Sequence, residues 1–209
     1  MNVPAPPWWL LAVIGMVFAC GTYLTIQFAA FLCKDIVPFE DGPRAGKPPV
    51  LALVAGSFAV GMLLGMRTSN IPLLAIELVL VVSLAAAWYS DVRCGIVPDY
   101  FTLIPLGIVL GVAVLTHQYG PLVSAAVVFL PFGAAAFLSK GRGMGWGDVK
   151  LAMLGAAVLP LEAAILAFAA ACFVAVVVAV VRNRRSEPIA FAPYLACAIA
   201  LGMAVPVFT

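Results

Sequence analysis

The sequence predicts an all-α fold, a polytopic transmembrane helical bundle with about eight spans (six to eight). Three observations predict it. Only 10% of the residues are charged and 65% are hydrophobic, whereas soluble domains carry about 25% charged residues. The mean hydropathy of +1.17 is too high for a chain of 209 residues to hide in a soluble core, because so short a chain keeps much of its surface exposed. Long apolar runs alternate with short polar segments, and the basic residues of those segments fall almost entirely on one side once the runs are laid across a bilayer.

A spanning helix needs about 20 apolar residues. Candidate spans run approximately over 8–32, 50–66, 71–90, 100–116, 121–139, 148–159, 161–181 and 189–207. The first is too long for the apolar region of a secretory signal, and Met1 to Pro7 holds no Lys or Arg, so a cleaved signal is not expected. The sixth is short and ends at Leu159-Pro160. It is either a half-span or a bent start to the seventh, since proline disrupts a helix interior.

With eight spans, the segments 33–49, 91–99, 139–148 and 182–188 share one face. They hold Lys34, Arg44, Lys47, Arg93, Lys140, Arg142, Arg182, Arg184 and Arg185, with Lys150 just inside the sixth span. The opposite face holds only Arg67. Lys and Arg stay on the cytoplasmic side, so this face is expected to be cytoplasmic and both termini to lie across the membrane. The net charge of +2 comes without a basic run, so no nucleic-acid partner is expected. Cysteines 20, 33, 94, 172 and 197 form no CxxC pair and are odd in number. That argues against a disulfide framework or a zinc site and leaves them as small apolar fillers.

Carboxylates near lipid are costly, so each needs a reason. Of nine acidic residues, Asp35, Glu40 and Asp41 belong to a solvated loop. Glu187 neighbours the Arg182–Arg185 cluster, and Glu162 opens the seventh span, a favourable helix position for an acid. Glu77, Asp91, Asp99 and Asp148 remain. Glu77 lies about two turns inside the third span, where it is either a packed protonated acid or part of a relay. Asp99 follows Pro98 and can cap the fourth helix. Asp148 can also be a helix cap, but Gly143, Gly145 and Gly147 precede it. Glycine permits close backbone approach, and this entry can admit an extended strand.

Asp91 and Asp148 are 57 residues apart, yet the two spans between them form a hairpin that returns the chain to the same face. At about 4 Å, two carboxylates repel by about 4 kcal/mol at an effective dielectric of 20. Such a pair shares a proton near neutrality. One member draws a proton from water while the other protonates the scissile carbonyl, which hydrolyses an amide with no metal and no cofactor. The single histidine, His117, falls on the opposite face, against a Ser–His or Cys–His site. No HExxH segment occurs, against a zinc protease of that type.

Gly145-Trp146-Gly147-Asp148 is a GxGD motif, and Gly147 to Leu151 resembles the Gly-Asp-x-Lys-Leu segment of prepilin peptidases, the type IV leader peptidases. Asp91, followed by Pro98-Asp99 and Phe101-Thr102-Leu103, resembles that family's first catalytic aspartate and the stretch after it. Ile189 to Ala196 is similar to the family's Pro-Phe-Gly-Pro-aromatic-Leu-Ala stretch, with Ala192 where glycine is commoner. The resemblance implies a membrane aspartic endopeptidase with Asp91 and Asp148 as catalytic pair. It marks Gly145, Gly147, Lys150, Pro98 and Asp99 as substrate-binding or site-shaping, and the glycine-rich run before Asp148 adds Gly143 to that set. For Lys150 the alternatives are tuning the pair, anchoring an anionic lipid, or snorkelling to the interface.

No internal repeat or low-complexity tract divides the chain, so one membrane domain over 1–209 is the simplest organisation. Residues 1–66 would form two helices with a short cytoplasmic loop, and 71–207 a six-helix catalytic core. The partners the resemblance implies are prepilin-like precursors (pilin, pseudopilin or Flp-type) and membrane lipids. The precursors carry a short basic leader ahead of an apolar helix, and the chain is expected in the prokaryotic cytoplasmic membrane with its site facing the cytoplasm. Larger members carry paired CxxC motifs after the first span, tied to N-methylation of the product. Here that loop holds only Cys33, so peptidase without methyltransferase activity is expected. The rival readings are a proton-coupled transporter using the intramembrane carboxylates and a scaffold whose aspartates are helix caps.

Overall fold

The apolar runs fold into eight α-helices in a computed structural model that describes residues 6–34, 48–68, 70–139, 144–181 and 190–205. They are α1 (Trp8–Leu32), α2 (Val50–Arg67), α3 (Ile71–Cys94), α4 (Leu103–Leu115), α5 (Gly120–Leu138), α6 (Trp146–Val158), α7 (Leu161–Val181) and α8 (Ala192–Ala204). Among the described residues there is no strand. Asp35, Glu40, Asp41, Arg44, Lys47, Lys140, Arg142, Gly143, Arg182, Arg184, Arg185 and Glu187 lie outside the described residues.

The chain is a polytopic membrane bundle. α1, α2, α3, α5 and α7 are each long and apolar enough to cross a bilayer, and their outer faces bury little. Large apolar side chains such as Phe31, Leu51, Leu130, Phe137 and Phe173 stand exposed, as lipid-facing residues do. α4 and α8 are apolar helices of 13 residues. α6 also has 13 residues, roughly 20 Å of helix. It ends at Leu159, which turns to an extended backbone, and α7 begins after Pro160. The sixth element is therefore a separate short helix rather than a bent start to the seventh.

Two boundaries differ from the sequence expectation in ways that matter for the site. α3 runs beyond residue 90 to Cys94, where Gly95 closes it in the left-handed region at φ 68, the usual glycine C-cap. Asp91 is thus a residue of the last helical turn instead of a loop residue. Pro98 starts a single 3-10 turn over Asp99–Phe101, so α4 begins only at Leu103.

α6 sits in the middle. It packs on α5, α4, α8 and α7, and Val149, Leu151, Ala152, Leu154 and Gly155 to Ala157 are buried. A helix that is apolar all round needs neighbours on every side. Gly155 lets α7 and α8 close in, since an added Cβ would lie 2.7 Å from Ile199 Cδ1 and 2.9 Å from Phe168 Cζ. Phe168 in turn meets Phe132 of α5 edge to face, with ring centroids 5.7 Å apart. α1 and α2 form a close pair that packs on α3.

Contacts at the helix ends show that successive elements alternate in direction. At one end, Arg67 of α2 donates to the Met203 carbonyl of α8, and Gly202 faces Leu159. The turns holding Gln118, Pro121 and Pro160 close a common cavity there. At the other end, the Cys33 and Cys94 side chains meet, tying the finish of α1 to the finish of α3. The beginnings of α6 and α8 arrive at this second end, here called the aspartate end.

Gly155→Ala is expected to lower stability by about 1–3 kcal/mol, the cost of overpacking a tight core. A thermal melt of the detergent-solubilised chain measures it, and unchanged melting contradicts the close packing of α6.

Candidate active site

Asp91 is buried, and α8 supplies its partner. The Ala192 backbone N–H donates to Asp91 Oδ2 at 3.0 Å. Ala192 is the first residue of α8, so its N–H has no partner within the helix. Helix N-termini carry partial positive charge and favour anions. The buried carboxylate and the helix end therefore satisfy each other, and α3 and α8 pack together around the bond.

Asp148 stands on the first turn of α6 and is half-buried. The N-cap residue is Gly145, with no side-chain cap, so Asp148 is not the plain cap that the sequence allowed. It is the third helical residue, and its Oδ2 turns back to Gly145, 3.4 Å from where a Cβ there would stand. That is the reach-back of the acid in a capping box. Gly147, between them, presses on the segment joining α3 to α4, where an added Cβ would lie 2.9 Å from Val97 Cβ. The absence of a side chain at Gly147 lets the start of α6 approach the finish of α3. Asp91, in the last turn of α3, and Asp148, in the first turn of α6, thus stand at one helix junction.

The other residues expected at the site divide. Lys150 Nζ pairs with Asp99 Oδ1 at 2.5 Å, so Lys150 bridges α6 to the 3-10 turn. Asp99 does not cap α4, because Pro98 holds the cap position of the turn and the Asp99 carboxylate faces Lys150. Both groups are partly exposed, so the pair contributes about 0–1 kcal/mol and acts mainly as a positional tie. Gly143 lies outside the described residues.

Glu77 is not brought to the pair. It lies 14 residues before Asp91, about 21 Å along the helix. It lines the cavity of about 250 Å³ at the opposite end together with Arg67, and its Oε2 has no partner among the described residues. His117, in the left-handed region at φ 56, is in the α4–α5 turn at that same distant end.

Sequence reasoning placed Ala192 in a family-like stretch without its role as a backbone donor, and it gave no role to Val97, which acts through a van der Waals surface. One signal was present: Pro193 marks a helix start, since proline is favoured in the first turn. The five cysteines are free. Chemically, the assembled group is two acidic side chains at a helix junction at one end of the bundle, with Asp91 held by a backbone donor and carboxyl oxygens left open on both. Such a pair can act as general base and general acid on one water.

The sequence profile of the type IV leader peptidase family matches residues 78–180, a stretch that contains both Asp91 and Asp148. No curated protein and no solved structure matches the chain.

Asp91→Asn keeps an acceptor for Ala192 and is expected to melt within about 1 kcal/mol of the parent chain, whereas Asp91→Ala leaves the buried N–H unpaired and costs about 1–3 kcal/mol. Equal melting of the two variants in detergent contradicts the α3–α8 hydrogen bond. Gly147→Ala is expected to destabilise by about 1–3 kcal/mol, and adding Val97→Ala recovers most of the loss in the same measurement. Failure of that rescue places the clash elsewhere.

Proposed function

Because the chain belongs to the type IV leader peptidase family, we propose that it is an aspartic endopeptidase in which Asp91 and Asp148 cut the leader from prepilin-like precursors. The observation that carries this reading is the placement of Asp91 in the last turn of α3 and of Asp148 in the first turn of α6 at one end of the bundle, with His117, the single histidine, at the other.

In the reaction, one carboxylate takes a proton from water as the water oxygen bonds to the scissile carbonyl carbon. The other, protonated carboxyl gives its proton to the carbonyl oxygen, forming a gem-diol. A proton then passes to the leaving nitrogen, the C–N bond breaks, and a carboxylic acid and an amine are released. The pair titrates as a unit, so acid and base are roles of the pair rather than of either residue.

The substrate is a precursor with a basic leader ahead of an apolar helix. Lys and Arg concentrate in the segments at the aspartate end, which supports placing that end in the cytoplasm of a prokaryote with the bundle in the cytoplasmic membrane. The leader then meets the pair from the water side, while the apolar helix stays in the bilayer. Unwinding of the first helical turn at the cut exposes the amide, and the open backbone at Gly145 leaves room for the extended strand. The first loop carries no CxxC pair, which supports peptidase activity without methylation of the new N-terminus.

Co-expression with a prepilin-like precursor is expected to yield the shortened product on a gel. Asp91→Asn and Asp148→Asn are each expected to lower cleavage by at least about 10²–10⁴-fold, the usual contribution of a general acid or base, while Glu77→Gln cleaves normally. Cleavage surviving in the double Asn variant would leave the aspartates as helix caps, and loss of function confined to Glu77→Gln would favour a transporter.

A further inference from the structure

Besides the cavity at the Arg67 end, the bundle holds a groove of about 730 Å³ between α7 and α8. Its floor is made of small residues, among them Ala167, Ala171 and Ala198, and its rims of the exposed apolar side chains Leu166, Val174 and Leu201. Along α8 it runs from Pro193 to Val205, about 18 Å at the rise of a helix. No charged side chain lines it. The groove therefore follows the long axis of the bundle for about three helical turns.

Its aspartate end is formed by Tyr194 and Trp88. Tyr194 stands two residues after Ala192, whose N–H holds Asp91. Trp88 lies one turn before Asp91 on α3. A chain leaving the groove at this end arrives beside the α3–α8 junction that holds Asp91. The Arg67 cavity offers no such continuity and presents Glu77 and Arg67, which an apolar segment cannot satisfy.

We propose that this groove seats the apolar helix of the precursor and guides its leader-proximal end to Asp91 and Asp148. The inference rests on the peptidase reading above and deepens it by assigning the docking surface. A peptide at bilayer depth must satisfy its own backbone polar groups, so the occupant is a helix. Helices pack closely where one surface offers small residues, because backbones can then approach. The alanine floor between taller rims has that shape. Docking here also explains how a pair at the membrane edge finds one amide: the groove fixes the helix lengthwise, and the cut falls where the helix passes the first turn of α8.

Two substrates test it. One is the full precursor. The other is a soluble peptide that spans the cleavage site and stops before the apolar helix. In Ala167→Leu/Ala198→Leu the floor is filled. The variant is expected to lose about tenfold or more in kcat/KM on the full precursor, equivalent to the loss of one good packing contact, with the soluble peptide cut as by the parent. Parent kinetics on both substrates overturn the groove while leaving the peptidase reading intact. If the parent cuts neither substrate, the peptidase reading falls and the groove proposal with it.

A second measurement decides where the filled variant misfolds or the parent cuts the full precursor alone. A photo-reactive residue at position 166 or 174, in an Asp148→Asn chain, is expected to cross-link the full precursor, and one at position 130 on α5 is not. Adducts with lipid only, or equal capture from position 130, overturn the proposal.

Discussion

A carboxylate inside an apolar bundle needs a donor, and for Asp91 that donor is the first backbone N–H of α8. This bond constrains much else. It requires α8 to begin at the end where α3 finishes, which fixes the relative direction of the two helices. It uses the positive end of α8 to offset the burial of an acid. It also holds the Pro193-Tyr194 corner beside Trp88, so the outer surface of α8 becomes continuous with the site.

The second constraint is the position of α6. A helix of 13 residues cannot cross a bilayer alone, and it is retained because its neighbours enclose it. Enclosure demands small residues where helices cross: Gly155 admits Ile199 and Phe168, and Gly147 admits Val97. In return, the first turn of α6 carries Asp148 into protein surroundings rather than lipid. The Lys150–Asp99 pair then ties that turn to the start of α4 at a partly wet surface. Two glycines and one surface ion pair thus position the second carboxyl, and a backbone N–H positions the first.

Much of this was legible in the sequence. Apolar runs bounded by charge gave the helices, because lipid leaves little choice but to bury backbone polar groups in helices. Alternating spans gave the shared end of Asp91 and Asp148, and Gly145 and Gly147 pointed to a close approach. The rest depended on atoms that a sequence does not distinguish. The Ala192 donor is a backbone group with no side-chain signature. Lys150 is long enough to reach several acids, and only the turn after Pro98 selects Asp99. Helix α3 was expected to stop at 90, although Gly95 offered the physical reason for its extension to Cys94. The α7–α8 groove arises from two helix faces that each carry only alanines and ordinary apolar residues.

The account depends on nearness between residues 91 and 148, and a cross-link measures that most directly. In a chain whose five cysteines are replaced, Asp91→Cys/Asp148→Cys is treated in membranes with a short dithiol-reactive reagent, with Glu77→Cys/Asp148→Cys as the comparison. The account predicts an intramolecular link in the first pair and none in the second. A link from position 77, or none from position 91, would contradict it.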